Sequence, residues 1–464
     1  MGLIVVYLLY RLSVRKGSKY PPSVKALWVP ALGHVLGFGG DPVAFLMKQR
    51  KLVGDLFSFE LFGRDVVFFG DTECYEAFYK APATILSAAE AYKFTIPAFG
   101  KGVVYDMPHD KFMEQRRMIH NTLTVNNFKT FVGIMEEETE GYLKETWTKP
   151  TDKIDFYKAV SDIVMRTSTR CLQGEQVRAV INDGYVGWMA DIDHSLSVFS
   201  FFFPNLPLPT FNKRNLARAK IGEIFKKILD HREKNGYTNN DFIEVMRNKT
   251  YAYDGTKMNK EEIAGLSVAL MLAGYHTSNV TSSWVAIHML SHPEVHEAVL
   301  KEQEAVVQGQ KLDFEKIRSL EVLDSCISES LRLRPPIILI FRKVMQDFTV
   351  KNFVIPKGSL VCISPATRHR DPDFYKNADS YEPSRWRNEE TKRDTNDYSY
   401  IPFSTGEHYC VGEKFAVLQI KTILSVIFKE YNLKLIGSEK DYPVDNSTML
   451  AAPIKPVMVQ YTKK

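Results

Sequence analysis

The most informative segment of the chain reads Phe403-Ser-Thr-Gly406-Glu-His408-Tyr-Cys410-Val-Gly412, with a single cysteine between two glycines. The apolar residues that follow recur at helical spacing, which predicts a helix beginning just after Cys410. Unpaired backbone amides and the positive end of the helix dipole stabilise a thiolate at such a position. A thiolate held in this way is a good axial ligand for haem iron. The alternative is a buried free cysteine in a glycine-rich turn.

This segment resembles the haem-binding loop of the cytochrome P450 monooxygenases, whose pattern is Phe-x-x-Gly-x-basic-x-Cys-x-Gly. His408 takes the basic position, where that family most often has arginine, and a histidine there is usual in its sterol 14α-demethylases. The resemblance implies that Cys410 ligates the iron of haem b. It also implies that Phe403, Gly406, His408 and Gly412 bind the haem.

The composition is that of an ordinary globular protein: 464 residues, 45% hydrophobic and 25% charged. The aromatic content of 12% suits a large apolar cavity. A net charge of +5 is too small to indicate nucleic-acid binding, but it is compatible with an anionic membrane surface or an acidic redox partner. Five widely spaced cysteines form neither a disulfide framework nor a Cys-x-x-Cys motif, which favours a reducing, cytosol-facing environment.

The chain starts with an apolar run of about eight residues, whereas a membrane-spanning helix needs about 20. Basic residues follow, without the small-residue cleavage site of a signal peptide. We interpret residues 1–20 as a membrane-anchor stub and basic linker: a short anchor, an interfacial helix or the stub of a longer anchor. Residues 21–464 are expected to form a single haem-thiolate monooxygenase domain.

Helical periodicity dominates residues 110–300, and short strands are predicted at 65–70, after Pro356 and at 453–461. One long helix is predicted from the capping box at Asn259-Lys-Glu-Glu262 to His292-Pro293. The aromatic and proline-rich residues 199–209 are expected to interrupt helix, either as a buried plug or as a contact with a membrane or a channel mouth. The fold class is therefore mostly α with a small β lobe. The resemblance implies the cytochrome P450 fold, with the long helix as its central I helix over the haem.

Inside the long helix lies Ala273-Gly274-Tyr-His276-Thr277-Ser. A mid-helix glycine beside a hydroxyl that can bond a backbone carbonyl predicts a local distortion; the alternative is a packing glycine with a buried threonine. The motif is similar to that of the sterol 14α-demethylases, which implies that Thr277 serves dioxygen activation and His276 proton delivery. In that family a carboxylate from the region between the F and G helices often pairs with the histidine. A rough alignment puts Asn215 at that place.

The spacing Glu-x-x-Arg occurs seven times, and Glu329–Arg332 is distinguished by the prolines that follow it. Arg385 lies between this pair and the cysteine segment, an order that resembles the Glu-Arg-Arg core triad of the P450 family. An interior charge trio must be mutually paired, and this one would hold the cysteine loop. The other six pairs are expected on solvated faces or as coincidences.

The aromatic segment, residues 92–106, is irregular and too rich in aromatic side chains for a solvated loop; the alternative is a surface loop tucked on a core. It resembles the segment between helices B′ and C of the sterol 14α-demethylases. The resemblance implies haem-propionate contacts from Tyr92, Tyr105, Arg116, Arg342 and His408. It also implies a sterol pocket formed by Tyr92, Phe94, Phe99, Leu272, Ala273, Thr277, Leu339 and Met449.

The resemblance covers about residues 21–461 and identifies a sterol 14α-demethylase of plant-like or protist type. It implies three oxygenations that take the 14α-methyl to an alcohol, an aldehyde and then formate. Phe94 implies a 4-monomethyl substrate such as obtusifoliol. NADPH electrons are expected through a separate cytochrome P450 reductase, since the chain has no Gly-x-Gly-x-x-Gly nucleotide-binding unit. We further expect an endoplasmic reticulum location, a catalytic domain that faces the cytosol and inhibition by azoles. We expect no nucleic-acid partner. The alternatives are another haem-thiolate monooxygenase of lipids and a non-catalytic sterol- or haem-binding protein.

Overall fold

A computed structural model describes residues 19–24, 32–204, 206–237, 241–387, 398–446 and 449–464. The predicted anchor stub lies outside these residues except for Lys19 and Tyr20. Within the described ranges, no helix has both the length and the apolar character needed to cross a membrane. The described residues divide into two compact units, one drawn from Met1–Lys93, Ile337–Asp379 and Arg393–Tyr409 and the other from the remainder. The single domain over residues 21–464 stays a prediction.

The helices confirm a mostly α fold. In chain order they are α1 Val35–Gly40, α2 Pro42–Val53, α3 Thr72–Lys80, α4 Ala88–Ala91, α5 Ile96–Phe99, α6 His109–Thr122, α7 Val125–Thr146, α8 Phe156–Gln173, α9 Glu175–Ala179, α10 Asp183–His194, α11 Val198–Phe202, α12 Pro209–Asn235, α13 Phe242–Asn248, α14 Lys260–Ser291, α15 Pro293–Val307, α16 Phe314–Arg318, α17 Glu321–Leu333, α18 Pro365–Arg368 and α19 Glu413–Glu430.

The strands are short. They are β1 Leu56–Leu61, β2 Arg64–Phe69, β3 Leu86–Ser87, β4 Thr151–Asp155, β5 Ile340–Val344, β6 Phe348–Val350, β7 Phe353–Ile355, β8 Leu360–Ile363, β9 Tyr431–Leu435, β10 Val444–Asp445, β11 Ala452–Pro453 and β12 Met458–Lys463. Strand β2 matches the strand predicted at residues 65–70, and β11 and β12 lie in the predicted C-terminal β region.

The first unit is built on a five-stranded sheet in the order β1-β2-β8-β5-β3. Strands β1 and β2 form an antiparallel hairpin whose two-residue turn, Phe62-Gly63, has positive φ at both positions, as a hairpin of this length favours. Strand β8 runs parallel to β2, and β5 is antiparallel to both β8 and β3. Helix α3 buries Cys74, Tyr75 and Phe78 in the core formed with this sheet.

The second unit is organised around α14, a 32-residue helix about 48 Å long. Asn259 and Glu262 form the predicted capping box, and His292 caps the other end. The helix is buried on nearly all sides from Ile263 to Met289, as expected for a helix that is apolar all round. It packs against α8, α12, α17 and α19.

One finding differs from the expectations for this unit. The aromatic stretch at residues 199–209 is not wholly irregular, because α11 includes Phe199–Phe202 and a serine capping box starts that helix at Ser197. Near the C-terminus, the Trp284 indole N–H donates to the Ala451 carbonyl at 2.7 Å, and the Ala451 N–H donates to the Pro336 carbonyl at 2.9 Å. These bonds fix the turn that carries Met449.

Candidate active site

The cysteine loop turns sharply before α19. Ser404 and Gly406 have φ values of +61° and +64°, and residues Gly406–His408 form a 3₁₀ turn. Cys410 is exposed, and Gly412 is the N-cap of α19. A Cβ added to Gly412 would lie 3.8 Å from the Cys410 sulfur, an ordinary contact distance. The sulfur is thus presented at a helix start, where the sequence placed it.

The predicted net stabilisation of the thiolate is not what the structure shows. Although Cys410 is exposed to solvent, the protein atoms around its sulfur desolvate it and raise the pKa of the thiol. The backbone amides of Gly412 and Glu413 and the charge of Arg116 act in the opposite direction but do not outweigh desolvation. The predicted influence of the helix start is therefore present, but it is smaller than the cost of desolvation.

The structure places Arg116 close enough to Cys410 for its charge to act on the thiol, and Tyr105 lies close to Arg116. Burial lowers the pKa of Arg116, whereas Tyr105 and Cys410 act to raise it. The Arg116 guanidinium lies 5.8 Å from the centre of the Phe112 ring, and the Tyr105 ring centre lies 5.7 Å from the same ring. A cation and a phenol therefore share one surface near the exposed sulfur.

Gln115, which the sequence analysis did not single out, holds this part of the aromatic segment in place. Its side-chain oxygen accepts from the Val104 N–H at 3.2 Å, and its side-chain nitrogen donates to the Tyr251 hydroxyl at 2.8 Å. Gln115 and Tyr251 are both about 1% exposed. Val104 has a φ of +53°, a strained value for a β-branched residue that these bonds help to maintain.

Tyr92, Arg342 and His408 belong to the first unit. The Tyr92 hydroxyl accepts from the Phe341 N–H at 3.1 Å, and the neighbouring Arg342 donates to the Phe341 carbonyl at 3.0 Å. Arg342 is 5% exposed and stacks over Phe78, 5.0 Å from the ring centre. Phe403 and Leu339 are half-buried in this unit.

Arg342 and His408 line one small, partly open cavity in the first unit. Its lining residues are Phe78, Tyr79, Ala81, Ala83, Leu86, Arg342, Thr405, Glu407 and His408. Two of the residues assigned to the haem propionates thus line the same small space.

In the middle of α14, Thr277 carries a hydroxyl and Gly274 leaves space beside the backbone. Thr277 Oγ1 donates to the Ala273 carbonyl at 2.6 Å, and Ala273 itself is exposed, while the adjacent Leu272 is buried. A Cβ on Gly274 would have Ser168 Oγ as its nearest neighbour, at 3.9 Å. The predicted distortion is not observed, because residues 260–291 form one uninterrupted α-helix.

His276 is paired with an acid, but not at the position that the sequence alignment indicated. Its Nε2 lies 3.4 Å from Asp193 Oδ1, at the end of α10, without hydrogen-bond geometry. Burial lowers the pKa of His276, whereas Asp193 acts to raise it. Asn215, the expected partner position, is exposed on α12 and accepts a hydrogen bond from Arg214. The acid comes from before the aromatic stretch rather than after it.

Phe94 and Phe99 belong to the second unit and are supported by different helices. Phe94 is 4% exposed, and its ring packs edge-on against Phe201 of α11 with 5.2 Å between ring centres. Phe99 is half-buried, and its carbonyl accepts from Arg218 of α12 at 2.9 Å. Phe201 and Arg218 were not predicted as site residues.

The charges of Glu329, Arg332 and Arg385 come together in the interior of the second unit. Glu329 and Arg332 are fully buried and joined by two hydrogen bonds of 2.8 Å, and Arg385 donates to Glu329 at 3.2 Å. The Trp386 indole N–H and the Glu382 backbone N–H also donate to this carboxylate, each at 2.9 Å.

The expectation for the other six Glu-x-x-Arg pairs is partly wrong. Glu315 and Arg318 are an exposed pair, as expected. Glu382, however, pairs with Arg385 at 2.8 Å and so belongs to the triad's surroundings. Glu244 is also buried, beside Arg247 and Arg232.

The cytochrome P450 family profile matches residues 21–461, nearly the whole chain. The chain belongs to the cytochrome P450 family. The relative named "Sterol 14-demethylase" from Arabidopsis thaliana is 34% identical over 457 residues, covering 97% of this chain and 92% of the relative. "Lanosterol 14-alpha demethylase" from Bos taurus is also 34% identical, over 97% of this chain and 89% of the relative, and the Homo sapiens protein of that name is 33% identical over 97% and 87%.

The solved structure "Retinoic acid bound cyanobacterial CYP120A1" superposes with a TM-score of 0.83 at 20% identity, over 97% of this chain and 100% of the other. This likeness confirms the P450 fold. The family profile and the named relatives identify the chain as a haem-thiolate monooxygenase of the sterol 14-demethylase family. The family implies haem, a sterol substrate and electrons from a redox partner.

The residues of this P450 fit a haem. An exposed sulfur at a helix start, next to Arg116 and Tyr105, matches what an iron ligand and a propionate contact require. Within the first unit taken by itself, the small cavity lined by Arg342 and His408 offers hydrogen-bond donors of the kind that a carboxylate requires. Aromatic spacing and local motifs could identify these residues, whereas Asp193, Phe201, Gln115 and Arg218 carry no such signal.

Proposed function

We propose that this P450 removes the 14α-methyl of a sterol in three oxygenations, through the alcohol and the aldehyde to formate, leaving a new ring double bond. The observation that carries the proposal is the Asp193–His276 pair directly beside Thr277 on the long helix. A histidine in place of the usual acid, with its own carboxylate partner, would provide a proton path of the kind found in the sterol 14α-demethylases. The names of the relatives support the same activity.

The haem would be held by Cys410 at the iron and by Tyr92, Tyr105, Arg116, Arg342 and His408 at the propionates. Phe403, Gly406 and Gly412 would shape the cysteine loop around it. When bound, the haem supplies dioxygen activation and the oxidising power for each oxygenation. NADPH is the proposed electron source, through a separate cytochrome P450 reductase.

The proton path would run from solvent through Asp193 and His276. The Asp193 side chain is 30% exposed and so exchanges protons with water, whereas the His276 side chain is 13% exposed. Because burial lowers its pKa, His276 is neutral at neutral pH and can accept a proton on one nitrogen while it releases one from the other. Thr277 then directs the proton by its hydroxyl, which the Ala273 carbonyl already orients.

The sterol would lie against Tyr92, Phe94, Phe99, Leu272, Ala273, Thr277, Leu339 and Met449. In the sterol 14α-demethylases the residue at the place of Phe94 faces carbon 4 of the sterol, and a phenyl ring takes more room there than the Leu or Ile of animal and fungal members. A second methyl at carbon 4 would be crowded. We therefore propose a preference for 4-monomethyl sterols of the obtusifoliol kind.

We also propose that the protein works at the endoplasmic reticulum membrane with its catalytic part facing the cytosol, and that azoles inhibit it. The apolar start of the sequence and the exposed Phe199, Leu206 and Leu216 support contact with a membrane surface. The family assignment supports azole binding, because a nitrogen ligand competes for the iron.

The decisive experiment combines a haem spectrum with sterol titration. Reduced protein with carbon monoxide should give the red-shifted Soret band of thiolate-ligated haem, and Cys410→His should abolish it. Cys326→Ala, at a buried cysteine of the same unit, should keep the band. Obtusifoliol should shift the Soret band of the oxidised protein and be converted with release of formate. A protein that shows the thiolate band but neither shift nor formate with any 14α-methyl sterol contradicts the proposed function.

A further inference from the structure

Arg218 is a half-buried cation in the interior of the second unit. Its Nη2 donates to the Phe99 carbonyl at 2.9 Å, and its Nε is buried without a hydrogen-bond partner. Burial lowers the pKa of Arg218, and Glu261 opposes this from a distance too great for a salt bridge. The Arg218 guanidinium therefore loses hydration on burial, and it donates a hydrogen bond to one backbone carbonyl, that of Phe99.

Two glycines make room for this contact. Gly100 has a φ of +105°, and a Cβ on it would lie 1.9 Å from Arg218 Nη2. On α14, a Cβ on Gly265 would lie 2.3 Å from the Phe99 carbonyl oxygen. At this point α12, α14 and the end of α5 lie so close together that a side chain at Gly100 or Gly265 would not fit.

The two halves of the aromatic segment are attached to different helices. The half with Tyr105 is tied to α6, because Gln115 bonds both the Val104 N–H and the Gly102 carbonyl. The half with Phe94 and Phe99 is bonded by Arg218 to α12, the helix that follows α11 in the chain.

Phe201 of α11 also packs on Phe94. To separate α11 and α12 from the substrate-lining half of the aromatic segment, the Arg218 bond and the Phe94–Phe201 contact must both break. The Arg218 bond is the directional one of the two, since it requires a defined position of the Phe99 carbonyl.

We propose that Arg218 is a positioning residue that fastens the substrate-lining half of the aromatic segment to α12 and thereby sets how long a bound sterol is retained. The inference rests on the proposed sterol function and adds to it a residue that touches neither haem nor sterol. Its action is on release of the ligand and not on the oxygenation.

The test is the dissociation rate of bound sterol, followed by stopped flow through the Soret band when excess azole displaces obtusifoliol. In Arg218→Ala this rate should rise about tenfold to a hundredfold, as expected for loss of a hydrogen bond from a charged donor. The carbon monoxide band and the single-turnover rate of preloaded protein should stay at wild-type values. Arg218→Lys keeps a charged donor. Its dissociation rate should therefore recover at least half of the change in the logarithm of the rate that Arg218→Ala causes. Lys226→Ala, at an exposed cation of the same helix, should dissociate like wild type.

Gly265→Ala gives an independent check, because it displaces the Phe99 carbonyl while leaving Arg218 unchanged, and it should also speed dissociation. If wild type binds no sterol, the proposed function fails. If wild type binds sterol and Arg218→Ala releases it at the wild-type rate, this inference alone is wrong. If Arg218→Ala loses haem, Arg218→Lys and Gly265→Ala decide the matter: wild-type dissociation in both overturns the inference, and faster dissociation in both supports it.

Discussion

The Glu329 cluster and the Asp193–His276 pair both join ionisable groups inside the second unit, yet they are built in opposite ways. The Glu329 carboxylate is fully buried and accepts from two arginines, an indole and a backbone amide. The Asp193–His276 contact is 3.4 Å long, lacks hydrogen-bond geometry and includes a carboxylate that is 30% exposed.

On the proposed function, this difference separates an ionisable group that holds structure from one that moves a proton. A buried carboxylate whose oxygens are all engaged is stable in one protonation state and in one place. A loosely paired histidine with a solvent-linked acid can gain and lose a proton without disrupting its neighbours. The following experiments test whether this contrast holds, beginning with the largest effect.

Removing Glu329 should have the largest effect. Glu329→Ala leaves Arg332 buried without its counter-charge and Trp386 without its acceptor, at an expected cost of about 3–5 kcal/mol in the free energy of unfolding. Little folded, haem-containing protein should be recovered, as measured by yield and by the ratio of Soret to protein absorbance. Arg385→Ala should act in the same direction.

The matched control is Glu315→Ala, at an exposed Glu-x-x-Arg pair where Arg318 is 72% exposed. A surface pair of this kind contributes about 0–1 kcal/mol, so yield and haem content should be unchanged. Normal yield in both Glu329→Ala and Arg385→Ala would refute the structural role of the cluster.

Disrupting the Asp193–His276 pair should instead affect turnover and spare the fold. His276→Ala should lower product formed per NADPH consumed by about a hundredfold, the lower end of what a positioned acid–base group contributes. Asp193→Asn should lower it less, about tenfold, because the histidine remains. Sterol binding and unfolding midpoints should stay close to wild type.

The control is Asn215→Ala, at the position first aligned with the acid, which should leave product formed per NADPH consumed unchanged. If this ratio fell in Asn215→Ala but not in Asp193→Asn, the assignment of the acid would be reversed.

Phe94 extends the comparison to an uncharged contact that is as tightly packed as the Glu329 cluster. Because one methyl in an apolar pocket is worth about 1–3 kcal/mol, wild type should prefer obtusifoliol to lanosterol by about 10-fold to 200-fold. Phe94→Leu should reduce that preference to a few-fold. Phe201→Leu, which loosens the ring that packs on Phe94, should reduce it by a smaller factor. Competitive turnover of the two sterols measures both, and equal wild-type rates would contradict the assigned preference.

The smallest effect concerns pH. Burial lowers the pKa of His276 below its ordinary value of about 6.5, so the unfolded chain takes up a proton at a pH where the folded protein does not. The stability that follows from this difference is complete above about pH 6.5 and is lost as the pH falls toward the lowered pKa. His276→Gln should therefore lose less stability than wild type between about pH 7.5 and about pH 5.5, as measured by urea unfolding. Parallel curves would show that His276 titrates normally in the folded protein.

Several parts of the site could be predicted because their signals are local in sequence. The cysteine loop and the ends of α14 follow from motifs in which every residue lies within one or two turns of its partner. Glu329 and Arg332 are likewise one helical turn apart, and Arg385 was located by its order in the chain. The aromatic segment was recognised by composition alone.

The acid partner of His276 could not be located in this way. Asp193 lies on α10, 83 residues before His276, and no sequence motif links α10 to α14. A rough alignment of residues 210–215 with the family favoured Asn215, whereas the packing of α10 decides which acidic side chain reaches the histidine. Trp386 entered the Glu329 cluster for a similar reason, through a short 3₁₀ turn that brings its indole to the carboxylate.

The sequence by itself determined the P450 family, the helix-rich fold and the candidate residues for the chemistry, since each depends on spacing along one helix or one loop. Tertiary structure decided which helix supplies the acid for His276, that Phe201 supports Phe94 and that Arg218 reaches the Phe99 carbonyl through the space left by Gly100 and Gly265. These contacts join side chains that are distant in sequence. They exist only because close packing brings particular helices within hydrogen-bond or van der Waals distance, and no local pattern encodes that proximity.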